Sequence, residues 1–133
     1  MGLPPSLADV TAGIGATLAA YTHALDDGRT DDVVATFCPD GSCDMPGLGH
    51  HVGHDALRAA YERVAPTLPQ RHLVFNTFVT GRSEQEAHAT SDVVLLLKIE
   101  DRWRVQLVGR YDDVLHPDGE TWRFHSRVAT FVP

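Results

Sequence analysis

The 133-residue chain has no apolar run long enough to cross a bilayer. Its opening residues lack the charged, apolar and small-residue series of a secretory signal. Met1-Gly2 opens a loose N-myristoylation pattern, but no polybasic segment follows it, and a single acyl chain anchors weakly. Basic charge is scarce: 11 Lys and Arg face 18 Asp and Glu, for a net charge of −7. That balance argues against nucleic acid and anionic membrane as partners, since both require a basic face. Two cysteines, Cys38 and Cys43, are too few for a disulfide scaffold, so a cytoplasmic protein with reduced thiols is expected. There are no repeats, linkers or low-complexity tracts. Nothing resembles a phosphate-binding glycine loop: the G-x-G at 13–15 lies inside a helical stretch and follows no strand. Ser42 and Ser126 have no nucleophile-elbow context.

What is present is a chain of ordinary globular composition, 43% hydrophobic and 22% charged, sized for one domain over residues 1–133. Ser6-Leu7-Ala8-Asp9 reads as a capping box. After it, Val10, Ile14, Leu18, Tyr21 and Leu25 recur at helical spacing to about Asp27. Thr30 is a candidate cap for a short second helix through Phe37. Pro39-Asp40-Gly41 reads as a turn before a short strand, Ser42 to Met45, and residues 47–53 as a Gly- and His-rich loop. A third helix runs from His54 to Ala65 and is stopped by Pro66 and Pro69. Four long strands then follow, Arg71–Thr80, Glu86–Glu100, Trp103–His116 and Thr121–Val132, with Asp118-Gly119 as a hairpin signal. Helices first and a meander second make an α+β protein.

Strand alternation sorts the candidate site residues. His72, Val74, Asn76 and Phe78 share one face of their strand, and Arg127 shares a face with Arg123, His125 and Ala129. A lone histidine on an apolar strand face can be merely structural, and an Asp at a helix end can be a surface residue. Asp26 sits where the helix dipole disfavours an acid, which hints at another reason for its place. A carboxylate orienting an imidazole makes a general base that works near neutral pH, so Asp26 and His72 matter if the fold joins them. Cys38, Cys43, His50, His51 and His54 cluster in sequence, but their spacing fits no common zinc finger, so no metal is expected.

In order along the chain, residues 21–42 (YTHALDDGRTDDVVATFCPDGS), 71–76 (RHLVFN), 109–113 (GRYDD) and 118–128 (DGETWRFHSRV) resemble the SnoaL-like branch of the nuclear transport factor 2-like superfamily. The resemblance implies one SnoaL-like domain: a cone-shaped, curved antiparallel sheet wrapped around three N-terminal helices, with a deep pocket between. The nearest group holds scytalone dehydratase, bile acid 7α-dehydratase and hexachlorocyclohexane dehydrochlorinase. By that resemblance Asp26 and His72 form a proton-abstracting dyad, Tyr21 is the helix donor, and Arg127 stabilises the developing anion. Asn76 would orient the substrate, with Met45, Phe37, Phe78 and Tyr111 as pocket walls. A second tyrosine of the dehydratases is replaced by Met45. The implied activity is a cofactor-independent, dehydratase-like lyase on a small apolar oxygenated molecule. An isomerase or cyclase, or a non-catalytic ligand binder, are the alternatives. Apolar residues on the outer sheet face, Leu73, Phe75, Trp103 and Leu107, suggest a homodimer or homotrimer.

Overall fold

The computed structural model describes residues 3–133, so the myristoylation pattern at Met1-Gly2 lies outside the described residues. Helix α1 (Leu7–Asp26) starts where Ser6 accepts a hydrogen bond from the Asp9 backbone N–H at 3.0 Å. It buries Val10, Ile14, Leu18, Tyr21 and Leu25 on one face. A short α2 (Thr30–Ala35) leads into β1 (Phe37–Met45), β2 (Gly49–Val52) and α3 (His54–Arg63). The meander is β3 (Gln70–Arg82), β4 (Ala87–Ile99), β5 (Arg102–Asp118) and β6 (Thr121–Phe131). One curved, unclosed six-stranded sheet results, in the order β2-β1-β6-β5-β4-β3. All neighbours are antiparallel except β1 and β6, which run parallel. The helices cover its concave face, giving the α+β architecture. Among the described residues no helix is long and apolar enough to cross a membrane.

Three local expectations differ. Residues 39–41 are not a free turn but part of β1, and the 47–53 stretch holds strand β2, paired from Ser42↔Val52 to Met45↔Gly49. The polar, glycine-rich composition of that hairpin hides its strand period. Arg29, not Thr30, is the N-cap of α2, with no side-chain capping bond.

Bulges decide which residues face the helices. Between Phe75↔Asp92 and Phe78↔Thr90, β3 carries one residue more than β4, and Asn76 takes a left-handed φ of 55°. The alternation inverts there, so Thr77 and Val79 turn inward and Phe78 is 66% exposed. β6 does the same between Val114↔Ser126 and Leu115↔Phe124. Trp122 and Phe124 therefore share the inner face with Arg127 and Ala129, not the opposite one.

Gly13 shows why a helix tolerates glycine here. A Cβ at that position would lie 2.5 Å from Cδ1 of Trp122. Thr17, one turn on, donates to the Trp122 carbonyl at 2.6 Å, locking α1 against β6. Gly13→Ala would raise helix propensity yet overpack this contact, so it should lower stability by about 1–3 kcal/mol in urea denaturation. A neutral or stabilising result would mean that Trp122 yields freely.

Candidate functional site

Asp26 is the last residue of α1, and its carboxylate takes three hydrogen bonds from the start of β3. Its Oδ1 is 2.6 Å from Nδ1 of His72 and accepts from Nε2 of Gln70 at 3.1 Å. Its Oδ2 accepts the His72 backbone N–H at 2.8 Å. Burial pushes this carboxyl up, but the bonds from His72 and Gln70 outweigh it and hold it below the usual carboxylate range. It is therefore ionised at neutral pH. A carboxylate on Nδ1 fixes the tautomer with the proton there, which leaves the Nε2 lone pair of His72 free as a base.

His72 borders a cavity of about 280 Å³ between α1, α3 and the sheet. That is near the lower end of small-molecule sites, about 300–1,000 Å³. Most of its wall is apolar, from Met45, Leu48, Leu95, Leu107 and Phe131. The polar groups that reach it are Tyr21, Tyr61, Gln70, His72 and Tyr111.

The phenols are organised. Tyr21 and Tyr61 hydroxyls lie 2.7 Å apart, and the Tyr61 hydroxyl is 3.4 Å from Sγ of Cys43. Burial raises Tyr21 and Tyr61 well above the ordinary phenol value, pushes Tyr111 up to about 12 and the Cys43 thiol up to about 11. All four keep their protons at neutral pH. The chain of donors can then run from Cys43 through Tyr61 to Tyr21, whose own proton is left to point at a ligand oxygen.

Arg127 stands one layer behind. Its guanidinium is fully buried, 3.5 Å from the Tyr111 ring centroid and 4.3 Å from that of Tyr21. It is held by Asp113 through Nε–Oδ1 at 3.0 Å and Nη2–Oδ2 at 3.3 Å, while Nη1 is buried with no partner among the described residues. Burial raises the Asp113 carboxyl to about 6 even though Arg127 pulls it back, so the pair is charged at pH 7. The cation disfavours neither phenol as an anion, since its field lowers the cost of charge on Tyr21 and Tyr111.

The fold thus brings Tyr21, His72, Met45 and Tyr111 to one cavity, with Asp26 behind His72. It does not bring the other four expected residues there. Asn76 points to the outer face, where it donates to Asp92 at 2.9 Å, and Phe78 lies on that same face after the bulge. Phe37 is fully buried in the core against Tyr21 and Phe124 and does not line the cavity. Arg127 contacts the phenol rings and not the cavity itself. Leu107, expected outside, lines the cavity. Sequence reasoning missed Tyr61 and Gln70. Tyr61 does fall at i+4 from Leu57 on the buried stripe of α3, which marks it as inward-facing, but nothing in the sequence pairs it with Tyr21.

Comparison with known proteins agrees with this architecture. The family profile of the SnoaL-like domain matches residues 6–128. A search of curated proteins finds no match. An Asp-to-Asn variant of Rv3472 from Mycobacterium tuberculosis, a protein of unknown function, superposes with a TM-score of 0.84 at 22% identity, covering 92% of this chain and 72% of that one. A candidate scytalone dehydratase from Novosphingobium aromaticivorans gives 0.81 at 21% identity, covering 93% and 85%. Aln2 from a Streptomyces species gives 0.84 at 18%, covering 96% and 93%. At such identities the likeness speaks to fold.

The buried ion pair generates a stability prediction. Arg127→Met leaves Asp113 as a lone buried charge and should cost about 3–5 kcal/mol in urea denaturation. Adding Asp113→Leu should recover much of that loss, because the pair's desolvation is then removed from both sides. A single variant as stable as the parent would show that Asp113 reaches water.

Proposed function

The chain belongs to the SnoaL-like family, and from that premise we propose that it is a lyase of the dehydratase type acting on a small, largely apolar, oxygenated molecule. The observation that carries this reading is an imidazole oriented by a buried carboxylate, with its second nitrogen free at an apolar cavity that also holds a phenol. The substrate class is a molecule with a C–H acidified by a neighbouring carbonyl or ring and a hydroxyl on the next carbon.

In the proposed reaction His72 Nε2 takes the proton from carbon, and Asp26 stabilises the imidazolium that forms. The electron pair left on carbon forms the new double bond as the C–O bond breaks. The departing hydroxide takes a proton from the imidazolium, or from Tyr21, which the imidazolium then reprotonates, and leaves as water. Tyr21 keeps its donor role because Tyr61 and Cys43 supply hydrogen bonds from behind. Arg127 is a positioning residue, acting through the phenol rings on which it stacks. No step needs a cofactor. Isomerases and cyclases share the first proton transfer, and a pure ligand binder shares the cavity; neither has an observation in its favour that the lyase lacks.

The test is a panel of β-hydroxycarbonyl compounds followed by NMR in D2O, reading α-proton exchange and water loss. Asp26→Asn and His72→Ala should each lower turnover about 10²–10⁴-fold, with the double variant little worse than either single. Tyr21→Phe should cost about 10²–10³-fold in kcat. Compounds that bind without exchange or elimination, equally in His72→Ala, would make the protein a binder.

The outer sheet face leaves Leu73, Phe75, Phe78, Trp103 and Val105 exposed. We assign this face to a second copy of the chain, in a cytoplasmic setting that keeps Cys38 and Cys43 reduced. Light scattering at micromolar concentration should give at least a dimer; a monomer there would remove the assignment.

A further inference from the structure

The Cys and His residues that cluster in sequence separate in space. Cys43 packs on Tyr61, His51 Nε2 meets the Leu48 carbonyl at 2.7 Å, and His54 Nε2 meets that of Phe37 at 2.9 Å. The fold assembles a different set, far from each other in sequence: Cys38, His116 and His125, with one donor atom of each within 4.8 Å of the others.

Ladder interruptions create this meeting point. β1 pairs with β6 at Phe37↔Phe124 and next at Ser42↔Ser126, so Cys38 starts a segment released from the ladder. His125 is the extra residue of the β6 bulge. The ring of His116, on β5, stacks on that of His125 at 4.2 Å and 13°. None of the three lines the cavity of the candidate active site.

Two details point to a cation. Nδ1 of His125 is buried and has no hydrogen-bond partner among the described residues; Asp40 Oδ1 lies 3.9 Å away. His116 holds Nε2 at 3.1 Å from Oε1 of Glu86, whose other oxygen meets His88 at 2.8 Å. A carboxylate on one ring nitrogen is the usual support of a metal-bound histidine, and it leaves Nδ1 of His116 as a free base. Sγ of Cys38 has only a 3.7 Å contact with the Arg123 carbonyl.

We propose that Cys38, His116 and His125 bind one Zn²⁺ ion, backed by Glu86, with the fourth position open to water or Asp40. One thiolate and two imidazoles form a borderline-soft set that favours zinc over magnesium or calcium. Zinc–ligand bonds of about 2.0–2.3 Å place tetrahedral donors roughly 3.5 Å apart, so the two rings must leave their stack and close on the ion. Their side chains, 35% and 38% exposed, have room to do so. The Cys38 thiol gives up its proton to solvent on binding, and no redox change occurs. The ion would staple the start of β1 to the β5–β6 hairpin.

The test is titration of reduced, untagged protein with Co²⁺, followed by Zn²⁺. The expected result is a 1:1 complex with a thiolate-to-cobalt charge-transfer band and tetrahedral d–d bands, both bleached by zinc. Cys38→Ser should abolish the charge-transfer band, and Glu86→Gln should weaken binding about 10–100-fold. A double His50→Ala, His51→Ala variant should behave as the parent. No charge-transfer band, a band that survives Cys38→Ser, or one lost in the double variant would overturn the proposal. Should circular dichroism show Cys38→Ser unfolded, His125→Asn decides: parental cobalt affinity there overturns the site, and a clear loss supports it.

Discussion

The carboxylate of Asp26 joins the two halves of this molecule. It closes α1 and receives three hydrogen bonds from Gln70 and His72, the first residues of β3. β3 is the far edge of the sheet, so this one group ties the helical layer to the strand most distant from β1 and β2. An anion at a helix C-terminus opposes the macrodipole. The position holds because three donors satisfy the charge, and charge-assisted bonds are the strong ones. The same bonds that hold the layers orient the imidazole, so packing and candidate chemistry rest on one contact.

Behind the cavity a second polar unit sits in otherwise apolar surroundings. Arg127 and Asp113 are both buried, and the guanidinium is sandwiched among the rings of Tyr21, Tyr111 and Phe124. Such a pair contributes little net stability against an apolar replacement, and its loss on one side is costly. Its value here is electrostatic: a fixed positive charge just beneath two phenols that face the cavity. The phenols stay protonated because burial raises them more than the cation lowers them.

The sheet's irregularities are as informative as its ladders. At Asn76 a left-handed residue inserts into β3, which sends Phe78 outward and leaves Thr77 to meet Ser91 at 2.9 Å. At His125 the same device brings Arg127 into line with Phe124, and it releases a histidine toward Cys38 and His116. Each bulge moves one residue in sequence and one whole face in space.

The amino-acid sequence alone was enough for the order of elements, the α1 cap at Ser6 and the four long strands. Those features are local: periodicity, capping and turn chemistry act within a few residues. The tertiary structure decided what depends on register. Alternation carried past Asn76 and His125 assigns Asn76, Phe78 and Arg127 wrongly, because a bulge leaves no strong mark in composition. It also decided the partners. Tyr61 reaches Tyr21 across forty residues, and Cys38 reaches His116 and His125 instead of its sequence neighbours. Such meetings are fixed by how a curved sheet closes over its helices, a sum of many distant contacts that no local pattern records.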